Sequence, residues 1–487
     1  MEKAEAESCR TVQKVNKLKN LRGIVGVSRY FFYFCRRVIM TLIIVAILLV
    51  GFVLIATSSF NRINKAATAM FAGTFGWVLY ICYGTDFVMD QHPSEYIEWL
   101  SGANATSVAV KQYIAQNIFL KYVGRGAEIV LFLLATMSIV EILNNNGCFD
   151  FLTQTMRTRN SRKLLWIMSI TTFVISANLD NLTTTTMMLV IMHDMVPSRS
   201  QRMIYGSAIV LAANFGGALT VIGDPTGLVL WTNSWVTATT FSMSLLLPCL
   251  IAWVIPTFWL SRSLPEHIDS QWRTMPYRGD DTNLKVWQRF VMLVVGIGGL
   301  WFIPTFHNIT KLSPFLGALC VLSVLWIVDE LMNRRMMDVD KMIQRRVPLA
   351  LQYGVIQLML FIMGIMLAVA VVDETGAIGW LAGICNDHIG SPWIMGCIAG
   401  CVSTMLDSFA TSMSFISFFR DLPQNDIYWI IIAFATAAGG SVLMIGSVAG
   451  LALMKMERIR IGWYFRHVGW MVCLSSLLGL GVMYLLH

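Results

Sequence analysis

What most limits the fold of this chain is the recurrence of long apolar runs with almost no charge inside them. Val38–Thr57, Ala66–Tyr83, Ala127–Leu143, Phe241–Leu260, Trp287–Ile303, Leu351–Val372 and Val468–Leu486 are the clearest. A hydrocarbon core about 30 Å thick is crossed by roughly 20 residues of helix. Within it every backbone group must be paired inside the protein, which leaves helices or a closed barrel. Uninterrupted runs of this length lack the alternation of a barrel strand, so the expectation is an all-α, polytopic membrane protein. With 56% hydrophobic and 13% charged residues in 487, the chain has too little polar surface for a soluble domain. The net charge of +8 is spread over Arg157–Lys163, Arg199–Arg202, Arg334–Arg346 and Lys455–Arg466. Dispersed basic loops fit retention on the cytoplasmic side and argue against nucleic-acid binding. Ten cysteines without a CxxC spacing, Cys397 and Cys401 being the nearest pair, point to packing and not to metal.

Several runs are too short to cross alone: Leu164–Ala177, Leu182–Met195, Trp393–Met405 and Ile427–Ala438. They flank two segments that echo each other, GGALTVIGDPTG at 216–227 and GGSVLMIGSVAG at 439–450. Two further landmarks precede them in the same order. Glu128 and Gln357 each stand nineteen residues before a glycine (Gly147, Gly376), and Ser176 and Ser403 each stand four before an aspartate (Asp180, Asp407). Three matched landmarks make an internal repeat. In a polytopic protein that pattern predicts two inverted-topology repeats with re-entrant hairpins and interrupted transmembrane helices around one central site, the plan of a secondary transporter. A duplicated scaffold without transport is the plainer alternative. Trp99–Val123 reads as either a surface helix or an extra crossing.

The polar residues inside these short runs carry the chemistry. SANLDNLTTTT at 176–186 puts Ser176, Asn178, Asp180, Asn181 and Thr183 where a central Asp costs about 2.5–3.5 kcal/mol. Such side chains cap helix ends, so a helix that stops and restarts at mid-membrane is expected. Gly216, Gly217 and the Gly223-Asp224-Pro225-Thr226 turn interrupt the next helix, Pro225 removing a donor. The second copy repeats the break with Ser403, Asp407, Ser408, Ser441 and Ser447. Capping alone would account for any single one of these residues. Across Ser176–Met188, Asn214–Leu230, Ser403–Ser417 and Ala435–Leu453 there is no Lys, Arg or His. A pocket holding up to three carboxylates repels an anion, so a cation is expected. Oxygen donors without sulfur or imidazole suit Na⁺ or Li⁺, with Asp180, Asp224 and Asp407 as the charged ligands. A buried carboxylate also binds its proton more tightly, so H⁺ and Na⁺ would exclude one another there. Glu128 and Glu141, inside or at the edge of one run, are candidate proton relays. His92 and His193 titrate near neutrality but read as loop residues. No catalytic residue and no cofactor are expected.

At these residues the chain resembles the NhaD-type sodium/proton antiporters of the ion transporter superfamily. The matching pieces are Asn64-Lys65-Ala66-Ala67, Asn178-Leu179-Asp180-Asn181-Leu182-Thr183-Thr184, Gly216-Gly217 with Ile222-Gly223-Asp224, and Gly439-Gly440-Ser441 with Ile445 to Gly450. The resemblance implies a multi-pass protein of the inner membrane that exports Na⁺ or Li⁺ against protons, most actively at alkaline pH. It also implies a homodimer in the lipid bilayer, each protomer combining a scaffold with a transport region. By it Asp180, Asn181 and Thr183 stand first among the ion ligands, with Asp224 and Thr226 close behind. The second motif departs from the family, reading Asp407-Ser408-Phe409-Ala410 where an amide and a proline are usual.

The expected division is 1–37 a basic cytoplasmic tail, 38–125 first scaffold helices and 126–260 transport repeat one. A linker at 261–286, second scaffold helices at 287–350 and repeat two with a C-terminal helix at 351–487 complete it. A Na⁺-coupled carboxylate transporter of the same superfamily is the alternative, and a passive channel is a third. A membrane-embedded hydrolase is disfavoured, since the chain has no HExxH and its core segments have no histidine.

Overall fold

The computed structural model describes residues 36–61, 63–101, 104–149, 151–152, 156, 158–267, 284–332 and 349–486. The tail 1–35, most of the linker and the basic stretch Arg334–Arg346 therefore lie outside the described residues. Within them the regular elements are helices, with one isolated bridge between Asn160 and His267. Seven helices among the described residues are long and apolar enough to cross a membrane, or eight with one bent pair. The protein is thus an all-α polytopic membrane protein.

The first helices are α1 (Arg36–Ala56), α2 (Lys65–Cys82), α3 (Gly84–Gln91), α4 (Pro93–Leu100) and α5 (Ser107–Asn145). Next come α6 (Ser161–Ser176), α7 (Asn181–Met195), α8 (Arg199–Leu219), α9 (Pro225–Thr232) and α10 (Ala238–Arg262). After the linker follow α11 (Val286–Thr310), α12 (Pro314–Met332), α13 (Leu349–Glu374) and α14 (Ala377–His388). The chain finishes with α15 (Pro392–Ser403), α16 (Ser408–Ile416), α17 (Ile427–Val442), α18 (Val448–Glu457) and α19 (Ile461–Leu486).

Trp99 and Leu100 of the segment Trp99–Val123 end α4, and its later part is not a helix of its own. From Ser107 it forms the first turns of the 39-residue helix α5, passing through a π turn at Ile114–Phe119. No Pro or Gly stands between Ser107 and Val123, so nothing stops the helix before the apolar run begins. Buried Val110, Ile114 and Ile118 hold its early part down.

Two packing units emerge. In the first, α2 lies along α13, where Trp77 Nε1 donates to the Leu367 carbonyl at 3.1 Å, and α5 and α12 complete the layer. Exposed Trp301, Phe302, Ile309 and Leu331 on α11 and α12 face outward; in a membrane that surface meets acyl chains. In the second unit α6, α8, α10, α17 and α19 pack around one another. Pro256 lacks the N–H that the Ala252 carbonyl, four residues earlier, would accept. Ser475 Oγ on α19 donates to that carbonyl instead, at 3.2 Å.

The interrupted helices sit in this second unit. α6 runs alongside α8, Ser161 Oγ meeting Tyr205 Oη at 3.0 Å and Ser176 Oγ donating to the Ala213 carbonyl at 2.7 Å. α7 turns back, and its last turn brings His193 Nδ1 within 3.0 Å of Glu457 at the end of α18. α15 runs alongside α17 in the same way, Ser403 Oγ donating to the Thr436 carbonyl at 2.7 Å. Past α16 the Phe419 ring lies 5.1 Å from that of Tyr428, at the start of α17. Asn425, just before α17, donates its N–H to the Trp235 carbonyl just past α9, at 2.8 Å. The α6–α7 hairpin therefore opens where α8 starts and α18 finishes. The α15–α16 hairpin opens at the other end, where α17 starts and α9 finishes.

Candidate functional site

Four chain breaks meet between these helices, and each is set by a local rule. Asp180, Asp224, Asp407 and Ser447 are the N-caps of α7, α9, α16 and α18. Each accepts from a backbone N–H of the turn it starts, at 2.8 Å (Thr183), 3.0 Å (Thr226), 3.1 Å (Phe409) and 3.0 Å (Gly450). Such caps satisfy N–H groups that have no partner within the helix. A helix N-terminus also favours negative charge, which eases the burial of three carboxylates.

The breaks close tightly. A Cβ on Gly223 would lie 2.6 Å from the Ser176 carbonyl oxygen, and one on Gly446 2.2 Å from that of Ser403. Only glycine lets each half-helix touch its hairpin tip so closely. The contacts match pair by pair. Positions 217 and 440 each admit Cβ only at 3.3 Å from the residue after the capping aspartate, Asn181 in one case and Ser408 in the other.

The predicted residues are distributed among several contacts. Asn181 Nδ2 donates to Asp224 Oδ1 at 3.0 Å, tying the first hairpin tip to the first broken helix. Thr226 Oγ1 meets Ser412 Oγ at 3.0 Å, a contact between the two halves of the chain. Asp224 lies within electrostatic reach of Asp407, also in the other half. Ser441 and Ser447 both accept from Asn214 Nδ2, at 2.9 and 3.1 Å. Ser408 is half-buried at its tip, its N–H donating to the Gly446 carbonyl at 2.8 Å. Thr183 is half-buried on the first turn of α7.

Others lie to the side. Ser176 and Ser403 direct their hydroxyls into the neighbouring helices and brace the hairpins. Asn178 donates to the Val174 carbonyl at 2.7 Å and accepts from Trp301 of α11, on the outer side of the tip. Glu128 accepts from Ser313 at 3.0 Å, between α5 and α12, and Glu141 is half-buried further along α5. His193 belongs to the last turn of α7 and not to a loop. His92 does join α3 to α4, and its Nε2 lies 2.9 Å from Glu374. That hydrogen bond raises the proton affinity of His92 above the ordinary imidazole value, outweighing the effect of burial.

Several buried oxygens on α7 and α8 have no hydrogen-bond partner. Asp180 Oδ2, Asn214 Oδ1 and the Thr184 and Thr185 hydroxyls are buried and accept no hydrogen bond from the protein. A bare buried carboxylate oxygen is costly unless a proton or a cation satisfies it. Asn214 stands three residues before Gly217 on α8, the helix against which α7 packs. Among the described residues no group of three or more His, Cys, Asp or Glu could hold a metal ion, so Asp180, Asp224 and Asp407 do not close on one three-carboxylate site; the unpartnered atoms named above are hard oxygens.

The core segments hold no basic residue, yet a cation reaches them from elsewhere. Lys65, the first residue of α2, places Nζ 3.3 Å from Asp407 Oδ2, with Asp407 only 2% exposed. The two residues are 342 positions apart. The available signal was a lysine directly after a capping asparagine and before an apolar run. Asn214 was also missed, as an amide inside the run Ile204–Val221.

Fold and site together define a polytopic helical membrane protein built around paired, oxygen-lined helix breaks. The citrate transporter (CitMHS) family model matches residues 31–419. The chain is 33% identical over 352 residues to sodium/proton antiporter 1 of Arabidopsis thaliana, covering 70% of this chain and 59% of that protein. It is 30% identical over 377 residues to sodium/proton antiporter 2 of the same plant, covering 76% and 87%. With the Na(+)/H(+) antiporter NhaD of Vibrio parahaemolyticus it shares 25% identity over 369 residues, 71% and 86%. The chain belongs to the citrate transporter family of the ion transporter superfamily, among its NhaD-type sodium/proton antiporters.

Proposed function

We propose that the protein exchanges Na⁺, or Li⁺, for H⁺ across the inner membrane, cation and proton competing for buried aspartates at the helix breaks. The observation that carries this reading is the unsatisfied, buried Oδ2 of Asp180 at a hairpin tip whose next residue, Asn181, bonds Asp224. A carboxylate so placed holds a proton or a small cation, not both. Asp180, Asn181 and Thr183 with Asp224 and Thr226 form one half of the ion path. Asp407, Ser408, Ser441 and Ser447 form the other, linked through Asn214 and Ser412. Hairpins that open at opposite ends support inverted-topology repeats, which give the site an exit to each side in turn.

The end at which the α6–α7 hairpin opens carries Arg199, Arg202, Lys455, Arg458 and Arg460, which makes it the cytoplasmic end by the positive-inside rule. α1 starts at the opposite end, where Arg37 pairs with Asp90 and Arg36 lies over Tyr83. On this orientation Arg36 is on the outer face, opposite to a cytoplasmic tail. A homodimer in the bilayer completes the reading.

The test is Na⁺-dependent dissipation of a pH gradient in everted vesicles. Asp180→Asn is expected to abolish it while leaving membrane insertion unchanged; wild-type rates in that variant would remove Asp180 from the site. A second reading, Na⁺-coupled carboxylate transport, draws on the family match and on Lys65, a positive charge at the site. Uptake of labelled citrate that ignores the pH gradient would favour it.

A further inference from the structure

Asp407 is met by a cation that belongs to the other packing unit. Lys65 opens α2, which is held along α13: a Cβ on Gly364 would lie 2.6 Å from the Ala69 backbone. Asp407 opens α16, whose hairpin is fastened to α17 and its break by the Ser403–Thr436 and Ser408–Gly446 bonds. The contact between Lys65 Nζ and Asp407 Oδ2 therefore ties one unit to the other. Lysine is also an unfavourable choice there, since an ammonium at a helix N-terminus faces the positive end of the dipole. A buried carboxylate as partner accounts for it. The Lys65 side chain is 16% exposed and that of Asp407 2%, so the pair is largely shielded from water and from screening by salt.

An exchanger must meet one condition that a simple carrier need not: its bare site must not reorient. Every empty return lets an ion cross without a counter-ion. We propose, building on the exchange reading above, that Lys65 is the positioning residue that enforces this condition. While Asp407 is bare, Lys65 holds it and the hairpin to α2. A cargo ion that takes up the charge of Asp407 displaces the ammonium and releases the hairpin tip, leaving the Arg420–Asp373 pair at its far end as a remaining tie to the unit of α2. The lock and the cargo use the same oxygen, so the two states exclude one another. Asp224, within reach of Asp407, adds negative charge that helps the incoming ion compete with the tethered one.

The experiment measures Na⁺ efflux and H⁺ uptake together, at one fixed pH, in liposomes holding the purified protein. In wild type the ratio of the two fluxes stays constant as external Na⁺ is varied. In Lys65→Met the ratio of Na⁺ to H⁺ is expected to rise about twofold or more, because empty returns are no longer blocked. The apparent Na⁺ affinity is expected to rise roughly 10- to 100-fold, the equivalent of one charge-assisted contact removed from competition. Lys65→Arg, which keeps the charge, restores the wild-type ratio. A wild-type ratio in Lys65→Met overturns the lock and leaves the exchange reading standing. Wild-type protein that moves Na⁺ with no H⁺ at all defeats the exchange reading itself. Should Lys65→Met not reach the membrane, amide hydrogen exchange of the wild type decides. Na⁺ is expected to raise exchange in the first turn of α2, and unchanged protection there refutes the lock.

Discussion

Replacing Gly223 by alanine tests the geometry of the helix breaks. The added Cβ would stand 2.6 Å from the Ser176 carbonyl oxygen, 2.7 Å from that of Gly217 and 2.8 Å from the Gly217 Cα. Carbon and oxygen normally approach to about 3.3 Å, so two backbone segments must part by about 0.7 Å. Neither neighbour is a side chain that can swing away. Overpacking of this kind costs about 1–3 kcal/mol. The strain falls on the turn that holds Asp224 against Asn181 and the Thr226 N–H. Since 1.4 kcal/mol is a factor of ten, exchange in everted vesicles is expected to drop about tenfold or more, and the purified protein to melt at a lower temperature in detergent. Gly298→Ala on α11 is the control, because a Cβ there meets nothing within 4 Å. It is expected to leave activity unchanged and to stabilise by about 0.5–1 kcal/mol. Wild-type exchange and melting in Gly223→Ala would refute the claim that the break depends on this contact.

Other consequences are open to measurement. Asn214→Ala removes the donor shared by Ser441 and Ser447; the apparent Km for Na⁺ is expected to rise about tenfold, with a lower melting temperature from the two buried hydrogen bonds lost. Arg420 pairs with Asp373 between the end of the second hairpin and α13, so Arg420→Gln leaves a carboxylate without its cation and should destabilise by about 3 kcal/mol, read from thermal melts. The proton affinity of His92 is raised by Glu374. Its contribution is therefore full below the ordinary imidazole value near 6.5 and is lost as pH climbs through the raised one. Melts of wild type against His92→Gln across that range should converge at alkaline pH and diverge at acid pH; a constant gap would contradict the assignment.

The sequence announced the fold where physics leaves little choice. Leu164–Ala177 and Leu182–Met195 are too short to cross, and the polar residues between them form the break capped by Asp180. The echoed glycines mark breaks because backbone meets backbone there, a demand local enough to show in residue order. Contacts between units were harder to read. Lys65 lies 342 residues from Asp407, and no periodicity records such a pair. Asn214 was hidden because a single amide does not interrupt an apolar helix. Ser176 and Ser403 illustrate the converse: their types suit ion binding, yet their position one turn before each tip points them at the carbonyls of α8 and α17. The helical start of α5 escaped because polar Lys111, Gln112 and Asn117 stand among its apolar residues.

Competition itself is open to the most direct test. Purified protein in liposomes, with initial exchange rates measured over Na⁺ concentration at several fixed pH values, separates affinity from turnover. If cation and proton share the Asp180 pocket, the apparent Km for Na⁺ rises about tenfold for each unit fall in pH in the acid limb, while the maximal rate stays constant. A Km that ignores pH while the maximal rate changes would contradict a shared site.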